Sequence, residues 1–235
     1  MEHYRLREVA EGAWAAIASP EGNARANAGI VDLGDATLVF DTFMDPAPAR
    51  ALQADAARLT GREPSIVVNS HWHPDHVRGN RVFEGAEIVA TARTKALVEE
   101  QEAELTPTTT FEGERDLGRA RLLTYGGGHT ESDAFLYLPD DGVAFVADLV
   151  VIDTHPWVGH GDVRRWLEIL ARLEELDLVA LVPGHGPVGL SDDIALMRAY
   201  LDQIQRLRPG DEMPQELADL DNPSLFARNL EALAQ

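Results

Sequence analysis

The first forty residues are strand-like. Leu6 to Val9, Ala13 to Ala18, Ala28 to Asp32 and Thr37 to Phe40 are short apolar-rich runs. The turn formers Glu11-Gly12, Glu21-Gly22-Asn23 and Gly34-Asp35 separate them, which predicts an antiparallel meander. The period then lengthens. Over 46–60, Leu52, Ala56 and Leu59 share one helical face, and Gly61 supplies the stop. Ile66 to Asn69 is a short buried strand by its composition, and Ser70 to Asn80 is a loop running into a short helix. Ile88 to Ala90 is another strand, and Thr91 caps a helix over 91–104. Further strands are expected at 119–124, 133–138, 142–147 and 178–182, with a helix at about 162–175. From Ser191 on the pattern is mostly helical, interrupted by Pro209, Pro214 and Pro223.

Two sets of strands, each with its own helices, imply an α/β fold. It is a four-layer αββα sandwich with two central mixed β-sheets and helices outside. The expected organisation is one domain over 1–235, with a helical extension from about 190 to 235. Repeats, low-complexity tracts and long linkers are missing from the sequence.

Composition narrows the chemistry. The chain has 235 residues, enough to bury a substantial core, and contains no cysteine. Disulfides, thiolate metal sites and a cysteine nucleophile are therefore excluded, and any metal must sit on imidazole and carboxylate. The chain carries 40 Asp plus Glu against 20 Lys plus Arg. That balance disfavours nucleic acid and anionic membranes as partners. The charged start, Glu2 to Glu8, does not resemble a signal peptide, and no apolar run approaches the roughly 18 residues a membrane span needs. The expected location is the cytoplasm. Oligomeric state has no signature in the sequence.

The candidate chemistry sits in His71-Trp72-His73-Pro74-Asp75-His76, directly after the Ile66 to Asn69 strand. Three imidazoles and a carboxylate within six residues suit a cation far better than packing. In a tight loop His71 and His73 can converge on one ion, while Asp75 and His76 turn towards a second. Pro74 restricts the backbone and helps fix that turn. Three downstream features share this character. They are His129 after Gly126-Gly127-Gly128, Asp148 at the end of an apolar strand, and His185 between Gly184 and Gly186.

With these motifs in this order, the sequence resembles the metallo-β-lactamase-fold hydrolase superfamily, whose hallmark is H-x-H-x-D-H. The matching stretch runs from Asp41 to His185. The resemblance implies a first metal site of His71, His73 and His129, and a second of Asp75, His76 and His185. Asp148 would bridge them. Asp41 matches a buried aspartate that steadies a ligand imidazole. An aspartate at 148, where the lactamases carry cysteine, places the chain nearer the glyoxalase II and lactonase branches. His73 stands where iron-dependent oxygen-reducing relatives carry glutamate, which counts against redox chemistry. Asp133 departs from the many relatives that carry a second histidine shortly after the Gly-rich one. His155, Trp157 and His160, in the loop after Asp148, are candidates to line the substrate pocket.

The implied cofactors are two divalent metal ions, zinc foremost, with manganese, iron or cobalt also suited to these ligands. The implied reaction is hydrolysis of a small-molecule thioester, lactone, lactam or ester by a hydroxide held on the metals, with Asp75 passing the proton. One alternative is a phosphodiesterase or RNA-processing enzyme on the same fold. Another is a metal-binding protein without turnover or a mononuclear iron oxygen enzyme.

Overall fold

The computed structural model describes residues 2–235. Strands β1 (Tyr4–Ala10), β2 (Ala13–Ala18), β3 (Ala28–Asp32) and β4 (Thr37–Phe40) form the expected antiparallel meander. Helix α1 (Pro46–Thr60) follows, opened by Pro46 and closed by Gly61 in the left-handed conformation at φ 74°. Then β5 (Ile66–Val68), the four-residue helix α2 (Pro74–Val77), β6 (Glu87–Thr91), α3 (Ala92–Gln101) and β7 (Thr109–Phe111) complete the first sheet. Its order is β1-β2-β3-β4-β5-β6-β7, antiparallel up to β4 and parallel beyond it.

The second sheet comprises β8 (Glu114–Leu117), β9 (Ala120–Gly126), β10 (Asp133–Leu138), β11 (Val143–Val151) and β12 (Ala180–His185), in the order β12-β11-β10-β9-β8. Only the β11–β12 pair is parallel. Helix α4 (Val163–Leu173) connects β11 to β12. Helices α5 (Asp192–Ile204) and α6 (Ser224–Leu233) complete the chain.

Three apolar layers hold the sandwich together. Between the sheets, Val31, Leu38, Phe40 and Val68 meet Leu122, Leu136, Phe145 and Val182. Outside the first sheet, Ala49, Leu52 and Ala56 of α1 pack on Ile30, Val39 and Val67. Outside the second, Trp166, Ile169 and Leu170 of α4, Met197 and Leu201 of α5 and Phe226 of α6 cover Phe135, Ala144 and Val146. This is the four-layer α/β arrangement that the hydrophobic pattern predicts. No helix among the described residues is long and apolar enough to cross a membrane.

The details differ in three places. Strands β7 and β8 lie in a stretch whose short, polar-rich runs gave no strand signal. Helix α3 ends at Gln101, with Glu102 out of helical geometry. Strand β11 does not stop at 147 but runs on to Val151, buried along its whole length. It kinks at Ala147, whose φ is +46°, and its register against β12 slips on both sides of that residue.

Trp166 links the core to the loops above it. Its ring is fully buried, its Nε1 donates to the Leu149 carbonyl at 2.9 Å, and it stands 5.2 Å from the His129 ring. Trp166→Ala should lower unfolding free energy by about 3–5 kcal/mol, measured by urea denaturation at constant m-value.

Candidate metal centre

Seven side chains converge at one end of the sandwich, each delivered by a strand end or the turn after it. Beyond β5, Asn69 to His73 form an extended loop that Pro74 turns into α2. The turn places the His76 ring beside that of His71, 4.2 Å away between centroids. The Gly126 to His129 loop leaves β9, the kink at Ala147 presents Asp148, and β12 ends on His185. Gly184 is dictated by crowding, since a Cβ there would lie 1.8 Å from Asp148 Oδ1.

The seven form two groups whose ligand atoms lie within 4.8 Å of one another: His71, His73, His129 and Asp148 in one, Asp75, His76 and His185 in the other. Asp148 stands between them. Its Oδ2 is 3.2 Å from His129 Nε2 and 3.8 Å from His71 Nε2. Its Oδ1 is 3.2 Å from His76 Nε2 and 3.5 Å from His185 Nε2. Asp75 Oδ2 closes the second group, 3.5 Å from His185 Nε2 and 3.9 Å from His76 Nε2.

The outer ring nitrogens determine what the inner ones present. His76 Nδ1 meets Asp41 Oδ2 at 2.8 Å, and His129 Nδ1 meets the Trp157 carbonyl at 3.1 Å. Both partners only accept, so each of these imidazoles carries a proton on its outer nitrogen and turns its inner nitrogen to the cluster. His71 Nδ1 lies 2.9 Å from Ser70 Oγ, whose own proton goes to Asp41 Oδ2 at 2.7 Å. The hydroxyl therefore accepts from His71, and His71 Nε2 presents a lone pair. Asp41 takes a third hydrogen bond from the Ser70 backbone N–H at 2.8 Å. It thus ties the loop to the His76 ring.

Electrostatics separates the two groups. Burial holds His71 well below the ordinary imidazole range and pushes His73 down to about 2. Both are neutral donors. Burial opposes charge on His76 and His185 as well, but the surrounding carboxylates outweigh it. Asp148, Asp41 and Asp75 hold His76 well above its usual range, and Asp148 and Asp75 raise His185. Burial would raise Asp148, yet His185, His76 and His129 hold it well below the carboxylate range. The carboxylates around His76 and His185 thus draw positive charge to the second group.

This donor set fits divalent cations. His71 Nε2, His76 Nε2 and Asp148 Oδ1 are buried polar atoms with no hydrogen-bond partner, all turned into the cluster. His73 Nδ1 and His129 Nε2 face each other at 3.0 Å. Orphaned lone pairs in such proximity are costly unless a cation sits among them.

Exposure differs between the two groups. The His71 and His76 side chains are 1% and 0% exposed, whereas His185 and Asp75 are 30% and 25% exposed. A cleft of about 440 Å³ opens beside His185, walled by Arg25, Asn27, Ile152, Asp153 and Asn222. Asn27 pins this wall. Its side-chain amide donates to the Pro183 and Gly186 carbonyls, both at 2.9 Å, and its backbone N–H donates to the Gly184 carbonyl at 2.7 Å.

The three pocket candidates separate. His160 joins the cluster, its Nδ1 2.8 Å from His73 Nε2. Trp157 contributes through its carbonyl to His129, while its ring packs against His160 and under the Arg228 guanidinium. His155 does not reach the centre. It is buried against Tyr200 and Phe226, with Nδ1 2.8 Å from the Tyr200 hydroxyl. Its backbone N–H donates to the Asp221 carbonyl at 3.0 Å, and its side chain lies in the helical layer.

Sequence reasoning missed Ser70, Asn27 and the role of Asp133. Buried Asp133 accepts from the backbone N–H groups of Gly128, His129 and Thr130 and from the Thr130 hydroxyl, at 2.7–3.2 Å. It caps the Gly-rich loop and sets the His129 backbone. An acid four residues after a loop histidine is a turn-capping signal. Asn27 and Ser70 had no such signal, because their partners are distant or depend on the ring tautomer.

Comparison with known proteins agrees with this geometry. Residues 22–185 match the model of the metallo-beta-lactamase superfamily, and the chain belongs to that family. It is accordingly a metal-dependent hydrolase. It is 27% identical over 196 residues to a hydroxyacylglutathione hydrolase of Erythrobacter litoralis, covering 73% of this chain and 76% of that one. With a hydroxyacylglutathione hydrolase of Gloeobacter violaceus it shares 30% identity over 139 residues, 57% of this chain and 53% of the other. The fold superposes on a crystal structure of a metallo-beta-lactamase from Erythrobacter litoralis with TM-score 0.75 at 19% identity, covering 86% of this chain and 98% of that one.

Asp133→Asn puts an amide donor among backbone donors. It should lower unfolding free energy by about 1–3 kcal/mol in the metal-free protein, measured by chemical denaturation.

Proposed function

We propose that the chain, acting over 1–235 as one metallo-β-lactamase-like domain, hydrolyses a small-molecule carboxylic derivative at a two-metal site. His71, His73 and His129 hold one ion, Asp75, His76 and His185 hold the other, and Asp148 bridges them. The observation that carries this is the inward set of partnerless donors whose outer nitrogens are already committed. Zinc suits these ligands best, with manganese, iron or cobalt also accommodated. Bound there, divalent ions acidify water and polarise a carbonyl oxygen.

The chain's own residues supply the rest. Asp75, at the exposed rim, is placed to take a proton from water entering through the cleft. Asp41 and Asp133 keep the imidazoles oriented during turnover. Ser70, the hydroxyl beside the cluster, is tied to Asp41, which leaves it no role as a nucleophile. A thioester is the first choice of substrate, supported by the names of the two relatives and by an aspartate at 148. Lactones, lactams and simple esters follow. The doubled excess of acidic side chains disfavours a phosphodiester polymer. A cytoplasmic location accords with this reading.

A chelator should abolish hydrolysis and lower the melting temperature, and zinc should restore both. Activity that survives complete demetallation would refute the mechanism. In a panel of a thioester, a lactone, a chromogenic lactam and bis-p-nitrophenyl phosphate, the thioester should turn over fastest and the phosphodiester slowest. His76→Ala should bring metal content from two ions per chain to one, and elemental analysis still finding two would disprove the assignment.

A further inference from the structure

Three of the four buried imidazoles in the cluster have an outer partner that holds a proton on the outer nitrogen: Asp41, Ser70 and the Trp157 carbonyl. His73 is the exception. Its outer Nε2 meets the ring nitrogen of His160, which is able to donate or accept. If His160 Nδ1 donates, His73 takes its proton on Nδ1, facing His129, and offers nothing to a metal. If His160 Nδ1 accepts, His73 carries its proton on Nε2 and turns a lone pair inward.

We propose that His160 is a positioning residue that fixes His73 in its ligand form by accepting the Nε2 proton. The inference rests on the two-metal reading and adds a residue outside the seven donors.

The surroundings are built for this role. His160 is exposed, yet its ring is flanked by Trp72 at 5.0 Å and Trp157 at 5.5 Å between centroids. Its neighbours in sequence are both glycines under steric constraint. A Cβ on Gly161 would come within 1.9 Å of the Gly128 carbonyl oxygen, and one on Gly159 within 2.1 Å of the Trp157 ring. The Asp162 backbone N–H donates to the same Gly128 carbonyl at 3.0 Å, and the Asp162 carboxylate caps α4. The 159–162 segment is thereby stapled to the loop that carries His129. One rigid unit delivers His129 to the metal and His160 to the back of His73.

The test uses zinc alone as the probe. His160→Phe keeps an aromatic ring between the tryptophans but removes the acceptor. His160→Asn replaces the ring with a shorter side chain whose Oδ1 stands in the place of Nδ1. Both are made in the His76→Ala background, and zinc affinity is read by competition with a chromophoric chelator. His160→Phe should weaken binding by about 10–100-fold, the usual effect of losing a partner behind a ligand imidazole. His160→Asn should restore most of it. A purely structural role predicts the reverse order, since the bulk is kept in Phe and lost in Asn. Equal affinity of His160→Phe and the background overturns the proposal, as does an Asn variant as weak as the Phe variant. Should the unmodified chain bind no zinc at all, the two-metal reading itself fails, and this inference with it.

Discussion

A single buried carboxylate organises this end of the molecule. Asp148 lies on a strand covered on both faces, where an isolated charge would be strongly unfavourable. It is tolerated because imidazoles surround it, with His129 and His71 on one oxygen and His76 and His185 on the other. The kink at Ala147 is what aims it there. Without a positive φ at that position, β11 would continue in register with β12, and the carboxylate would not point between the two histidine groups. Strained backbone at a β-branched-rich strand is retained where the surrounding structure over-determines it, as here.

Several groups around Asp148 serve to hold the imidazole rings in place about it. That work is spread over distant parts of the chain. Asp41 comes from the end of β4, Asp133 from the start of β10, and the Trp157 carbonyl from the loop before α4. The C-terminal helix takes part too. Buried Asn229 donates to the Pro156 carbonyl at 2.7 Å and accepts from the Val158 backbone N–H at 3.2 Å, on either side of Trp157. The helical layer over the second sheet therefore does more than close the core. It holds the loop that orients His129.

Legibility from sequence followed the range of the interaction. The meander, α1 and β10 were readable because period, turn formers and caps act within a few residues. The seven converging donors were readable because imidazole and carboxylate in a tight loop have few other uses, and because the downstream motifs keep a fixed order. What escaped was long-range or depended on geometry. Asn27 acts across more than 150 residues of chain on the His185 turn. Strands β7 and β8 are three and four residues long and owe their pairing to neighbours rather than to their own apolar content. His155 and His160 looked alike in sequence, five residues apart in one loop. The Asp221 carbonyl anchors one in the helical layer, and the crowded glycines flanking the other set it against the centre.

The two donor groups differ in a way that bears on how such a site works. The first is closed, with His71 and His129 inaccessible and their outer nitrogens tied to acceptors. The second is more open, at His185 and Asp75, and His185 borders the cleft that Asn27 and Arg25 help to wall. Part of the asymmetry follows from the fold: the loop that carries His129 is stapled to the start of α4, while His185 ends β12, the edge strand of the second sheet.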